Sequence, residues 1–87
     1  MNKHKISLGC ISILRKMFNN TMIGGKHIPE VLCIRWIRNL PRKEHRKALK
    51  DLEICIKEGL ILVKPEPSSR HLSLNPRRLD EIKNIIK

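Results

Sequence analysis

This chain of 87 residues carries 19 lysines and arginines against 8 aspartates and glutamates, a formal charge of +11. One domain, 1–87, is all such a length accommodates, and it buries only about 60% of its unfolded surface. The excess charge bears on partners: self-repulsion costs stability that a polyanion relieves, nucleic acid first and an anionic membrane surface second.

The first predicted element is a helix over 6–18. Ile6, Cys10, Ile13, Leu14 and Met17 recur on one face at helical spacing, and Ile11 and Phe18 widen the stripe. Asn19-Asn20 ends it, because asparagine tolerates the left-handed conformation and competes for backbone hydrogen bonds. Gly24-Gly25 marks a turn within 21–27 and is too isolated to be a phosphate-binding loop. Pro29 is expected at the first position of a second helix reaching about residue 38, with Glu30 complementing its dipole. Cys33, Trp36, Ile37 and Leu40 form its apolar face, and Trp36 is expected between the second and third helices. Pro41 forces a turn, since the residue before proline avoids helical geometry.

A third helix is predicted over 42–58, capped by Gly59. The run 60–63 reads as a buried strand, 65–69 as a loop and 70–74 as a returning strand, together a hairpin. Asn75-Pro76 is a strong helix start, asparagine as cap and proline first. Leu79, Ile82, Ile85 and Ile86 give the final helix, about 76–86, one apolar stripe. The order is helix, helix, turn, helix, hairpin, helix. It defines a mainly α fold with a small β-hairpin, a winged helix-turn-helix: a three-helix core, a wing and a C-terminal helix.

Charge is concentrated within this frame. No acid precedes Glu30, whereas Lys3, Lys5, Arg15, Lys16 and Lys26 do. Residues 35 to 50 hold seven bases and one acid, Glu44. On a helical wheel, Ala48, Leu49, Leu52, Cys55 and Ile56 of the third helix face the core. Lys43, Arg46, Lys47, Lys50 and Lys57 lie opposite, with Glu44, Asp51, Glu53 and Glu58 on the flanks. Ile54 falls inside the basic arc. The early residues of a recognition helix meet base edges when it enters a major groove, here Arg42, Lys43, Arg46, Lys47 and Lys50. Arg46 is the best base-reading candidate, since a guanidinium takes guanine O6 and N7 bidentately, while lysines suit phosphate. Around the hairpin loop, Lys64, Arg70 and His71 are candidates for neighbouring phosphates or a minor groove. Arg77 and Arg78 open the last helix.

Other chemistries find little support. Cys10, Cys33 and Cys55 are odd in number, sit among apolar neighbours and lack Cys-x-x-Cys spacing, which predicts buried thiols in a reducing cytoplasm. With His4, His27, His45 and His71 they match no zinc spacing, so no metal or other cofactor is expected. No carboxylate pair, serine–histidine set or phosphate loop is placed for catalysis, so an enzyme is not expected. Aromatic content of 2% argues against single-strand binding by base stacking. No apolar run reaches the roughly 18 residues of a membrane span, and the 6–17 stretch lacks a cleavage site to make it a signal peptide.

Ala48-Leu49-x-x-Leu52, Lys57-Glu58-Gly59-Leu60-Ile61 and Leu72-Ser73-Leu74-Asn75-Pro76 resemble small archaeal winged helix-turn-helix DNA-binding proteins. That broad group includes many transcriptional regulators, and the likeness covers about 28–86. In the group, the recognition helix commonly ends in a Glu-Gly-Leu-Ile type of sequence and runs into the wing. The resemblance implies double-stranded DNA as partner and a homodimer paired through the first or last helix. Two further readings stand beside it: an RNA- or ribosome-associated protein, and an interaction module of the transcription or replication machinery. One departure is expected. The strand usual between the first two helices would fall near 22–27, where the glycines make it short or absent and so weigh against a three-stranded wing sheet.

Overall fold

The computed structural model describes residues 5–87. Its elements are α1 (Leu8–Asn19), β1 (Ile28–Pro29), α2 (Glu30–Arg35), α3 (Arg42–Lys57), β2 (Ile61–Lys64), β3 (His71–Leu74) and α4 (Leu79–Ile86), the last preceded by a 3-10 turn, Pro76–Arg78. The fold is mainly helical with one antiparallel sheet of strand order β1-β3-β2.

α1 is the centre of the molecule, packing against α3, α4 and β3. Cys10, Ile13, Leu14 and Met17 are completely buried, as their spacing predicts, and meet Leu52, Leu72, Leu74 and Ile82. Ser7 caps the helix, its hydroxyl accepting from the Cys10 N–H at 3.4 Å. Thr21, just beyond Asn20, takes the positive φ of 54°. Gly9 lets α1 approach α3 closely: a Cβ there would lie 2.8 Å from the Ala48 Cβ and 2.9 Å from Leu40 Cδ1.

Several expectations are corrected. Pro29 does not open α2. It pairs with His71 in β1, and Glu30 starts the helix while donating its N–H to the Arg70 carbonyl at 2.9 Å. This two-residue strand supplies the third strand that the glycines weighed against. Gly24 and Met22 reinforce the same edge through hydrogen bonds with Leu74. The regular part of α2 ends at Arg35, and 36–40 continue through i to i−3 bonds, such as Ile37 N–H to Ile34 O at 3.1 Å. That tighter winding still buries Ile37. Trp36 is half-exposed, with Lys16 Nζ of α1 5.8 Å from its ring, so it leans toward α1.

The run 60–63 is not a buried strand throughout. β2 is an edge strand, and Leu62 and Val63 are 40% and 38% exposed. Side chains alternate across a sheet, so Ile61 points inward with its partner Leu74 while Leu62 joins the outer face. At the end of the hairpin, Gly59 adopts φ 81° after α3, and Asn75 ties the two ends together. Its Nδ2 donates to the Gly59 carbonyl at 2.7 Å, and its Oδ1 accepts from Arg77 N–H at 3.0 Å, the cap its position predicts.

Candidate nucleic-acid interface

α3 is built by two opposed patterns. Ala48, Leu52 and Cys55 anchor it to the core, while Arg42, Lys43, Arg46, Lys47 and Lys50 are all exposed. The buried face differs from the sequence expectation in one respect. Asp51, expected on a flank, is 5% exposed, whereas Leu49 and Ile56 are only half-buried. The buried arc is thereby turned about 50° around the helix toward Asp51. The cause is a long-range hydrogen bond: Asp51 Oδ2 accepts the Ser7 N–H at 2.7 Å. A carboxylate beside the N-terminus of α1 also meets the positive end of that helix dipole. The rotation turns Arg42 and Arg46 further from the buried arc and brings Lys43 and Lys47 nearer to it, and all five cations stay exposed.

Their surroundings leave them available. Among the described residues, Arg42, Lys43, Arg46 and Lys50 have no carboxylate within ion-pair distance, and Lys47 has only Glu44 at 3.6 Å, an exposed pair worth little. Lys47 and Lys50 also flank a groove of about 790 Å³ floored by Ile6, Leu8, Ile11 and Ile85. Ile54 is half-buried, at the border of the basic arc.

The three predicted hairpin residues divide. Arg70 is committed elsewhere: its guanidinium forks onto Glu30, with Nε to Oε1 and Nη2 to Oε2 both 2.8 Å, and also reaches Glu53. Hydrogen bonding to Glu30 pushes this arginine further above its ordinary range, with Glu53 adding to it. The pair of carboxylates thus joins the start of β3 to α2 and α3, so Arg70 is a structural tie between the sheet and both helices. Lys64 and His71 are register partners on the outer face of the sheet. A histidine that the sequence placed only in a turn joins them: His27 Nδ1 lies 2.7 Å from His71 Nδ1, and Lys64 Nζ lies 3.4 Å from His27 Nε2. Residues 44 apart gave no local signal for this contact.

Other arginines are also tied down. Arg15 donates to the Ile86 carbonyl at 2.7 and 3.2 Å, closing the C-terminus of α4. Arg78 donates to the Glu58 carbonyl at 2.9 Å and pairs with Glu81. The cysteines are buried free thiols, as expected. Cys10 and Cys55 interact across the α1–α3 contact, which with burial pushes Cys10 up, and burial pushes Cys33 up to about 12. Among the described residues, no three histidine, cysteine or carboxylate side chains converge as metal ligands, and no helix is long and apolar enough to cross a membrane.

Compared with protein-family models, curated proteins and solved structures, the chain matches none.

Proposed function

We propose that this protein is a winged helix-turn-helix regulator of transcription that binds double-stranded DNA through the N-terminal half of α3. The observation that carries the reading is the cluster Arg42, Lys43, Arg46, Lys47 and Lys50: five exposed cations on one helix, four of them without a carboxylate partner among the described residues. That helix follows a short turn after α2 and leads directly into the β2–β3 hairpin, the order in which a recognition helix precedes a wing. Each phosphate neutralised releases a condensed counterion, so affinity comes with steep salt dependence. Arg46 reads a guanine edge and the lysines grip the backbone. Pairing of two copies through α1 or α4 belongs to the same reading, and two α3 helices about 34 Å apart would enter successive major grooves. On those helices Leu8 is the one large apolar side chain that is strongly exposed among the described residues.

Fluorescence anisotropy with a duplex at several salt concentrations tests the reading. The logarithm of the association constant should fall with the logarithm of salt by about 0.9 per phosphate contacted. The double reversal Arg46→Glu with Lys50→Glu should weaken binding more than about tenfold, at least a 1.4 kcal/mol loss. Reversing Lys83 and Lys87 together should matter much less. Affinity indifferent to salt, or equal losses from the two pairs, would remove α3 as the interface. Stronger competition by double-stranded RNA than by duplex DNA would reassign the same face to RNA. A pull-down that survives nuclease would reassign it to an acidic protein.

A further inference from the structure

The outer face of the sheet carries a feature that the α3 interface does not use. Lys64 and Pro29 both lie opposite His71, so all three share a face, while Ile28, Leu72 and Leu74 point to the core. His27, immediately before β1, brings its ring edge-on to His71, with centroids 4.8 Å apart and planes at 61°. The hydrogen-bond directions fix the tautomers. An ammonium only donates, so His27 Nε2 must accept from Lys64. His27 therefore holds its hydrogen on Nδ1 and donates it to His71 Nδ1 at 2.7 Å, which leaves His71 with its hydrogen on Nε2. The chain of donors runs Lys64 to His27 to His71.

This chain is complete only while both rings are neutral. A proton added at His71 Nδ1 would set two N–H groups against each other. One added at His27 Nε2 would face the Lys64 ammonium. An oxyanion reverses the preference once the two Nδ1 atoms part from their 2.7 Å contact to admit it, because it accepts from the imidazolium, the second ring and the ammonium together. The charged groups nearby are few. Glu66, on the hairpin loop, lies 3.7 Å from Lys64 Nζ in a solvent-exposed pair that holds the ammonium only weakly. Lys26, next to His27, is turned to the Thr21 hydroxyl at 3.3 Å. Arg70, with Glu30 and Glu53, lies one residue along β3 and so points to the opposite face.

We infer that Lys64, His27 and His71 form a phosphate-binding site on the outer face of the sheet, which holds a phosphodiester of bound nucleic acid and takes up a proton as it does so. The inference rests on the nucleic-acid reading for its ligand, and it makes the hairpin contact, unlike that of α3, sensitive to pH. Imidazole is the side chain that ordinarily changes charge between pH 5 and 8, which sets the range to examine.

The experiment measures duplex affinity at constant salt from pH 5.5 to 8. It uses His45→Gln as background, since His45 lies on α3 itself. Affinity should rise as pH falls, up to about tenfold per pH unit for one proton taken up. His27→Gln and His71→Gln should each flatten that slope. Lys50→Glu should lower affinity at every pH and leave the slope in place. A slope unchanged in the His27→Gln, His71→Gln double variant overturns the inference while leaving the α3 interface standing. A second arm titrates inorganic phosphate into the free protein and follows the imidazole nitrogen resonances. The expected result is a shift confined to His27 and His71. If no nucleic acid binds, the functional reading fails and the phosphate titration alone decides the site: unperturbed imidazoles would end it.

Discussion

The two halves of α3 share a helix, yet they differ in charge and do opposite work. From Arg42 to Lys50 the cations project into solvent, and Glu44 is the one acid among them. From Asp51 onward the acids Asp51 and Glu53 and the carbonyl that ends the helix are spent on the fold. Asp51 holds the backbone of Ser7, Glu53 holds Arg70, and the Glu58 carbonyl holds Arg78. Cys55 closes against Cys10 of α1. The lesson is that charge density and available charge are different quantities. Arg46 and Arg70 are the same chemical group, but the second has two carboxylates on its fork and the first has none among the described residues. A cation already in a bidentate pair must break it before meeting a phosphate, whereas a solvated one sheds only water and counterions.

Substitutions can break this division. The largest effect should come from Leu52→Ala, which empties a completely buried position where α3 meets α1. It should cost about 2–5 kcal/mol in chemical denaturation, whereas Arg46→Ala, six residues earlier, should stay within about 0.5 kcal/mol. Comparable losses at both sites would erase the distinction. Gly9→Ala comes next. The added methyl meets the Ala48 Cβ, which cannot rotate away, so α1 and α3 must separate, at about 1–3 kcal/mol on the same denaturation curve. An unchanged midpoint would show that the close approach is not needed.

Alkaline pH sharpens the contrast from the buried side. The Cys33 thiol is raised from 9.0 to about 12, so the folded chain keeps its proton where the unfolded chain loses it. The stabilisation is whole below pH 9 and is lost as pH rises toward 12, at about 1.4 kcal/mol per unit. Cys33→Ala should therefore show a shallower fall of stability between pH 9 and 11 than the natural chain, and parallel curves would contradict the burial of that thiol. The smallest effect is expected for Arg70→Gln. Its ion pairs are about one-third exposed and screened by solvent, so about 1 kcal/mol of stability should go, with duplex affinity nearly unchanged. A large affinity loss without loss of stability would return Arg70 to the interface.

What was legible in the sequence follows from local rules. The stripe Cys10, Ile13, Leu14 and Met17 needs only helical periodicity to be read as core, and it is core. Asn75-Pro76 announces a cap through the backbone geometry of two residues, and the Asn75 side chain makes that bond. The cation cluster on α3 is legible because one helix face is a local property. Errors arose wherever a distant partner decided the matter. The φ that proline fixes suits the first turn of a helix and an edge strand alike, and the pairing of Pro29 with His71 selects the strand, with ψ at 135°. Leu62 and Val63 are apolar enough for a core, but β2 has a neighbour on one side only.

The amino-acid order alone determined the succession of helices, the hairpin, the apolar stripes and the concentration of positive charge before Lys50, because each depends on contacts within a few residues. The tertiary structure alone decided which charges are spoken for. Asp51 turns inward to Ser7, Arg70 is claimed by Glu30 and Glu53, and His27 is delivered to His71 and Lys64. These pairings join residues 17 to 44 positions apart. Such contacts exist only once burial of the core has met the entropy of closing the intervening chain, and no local pattern encodes them.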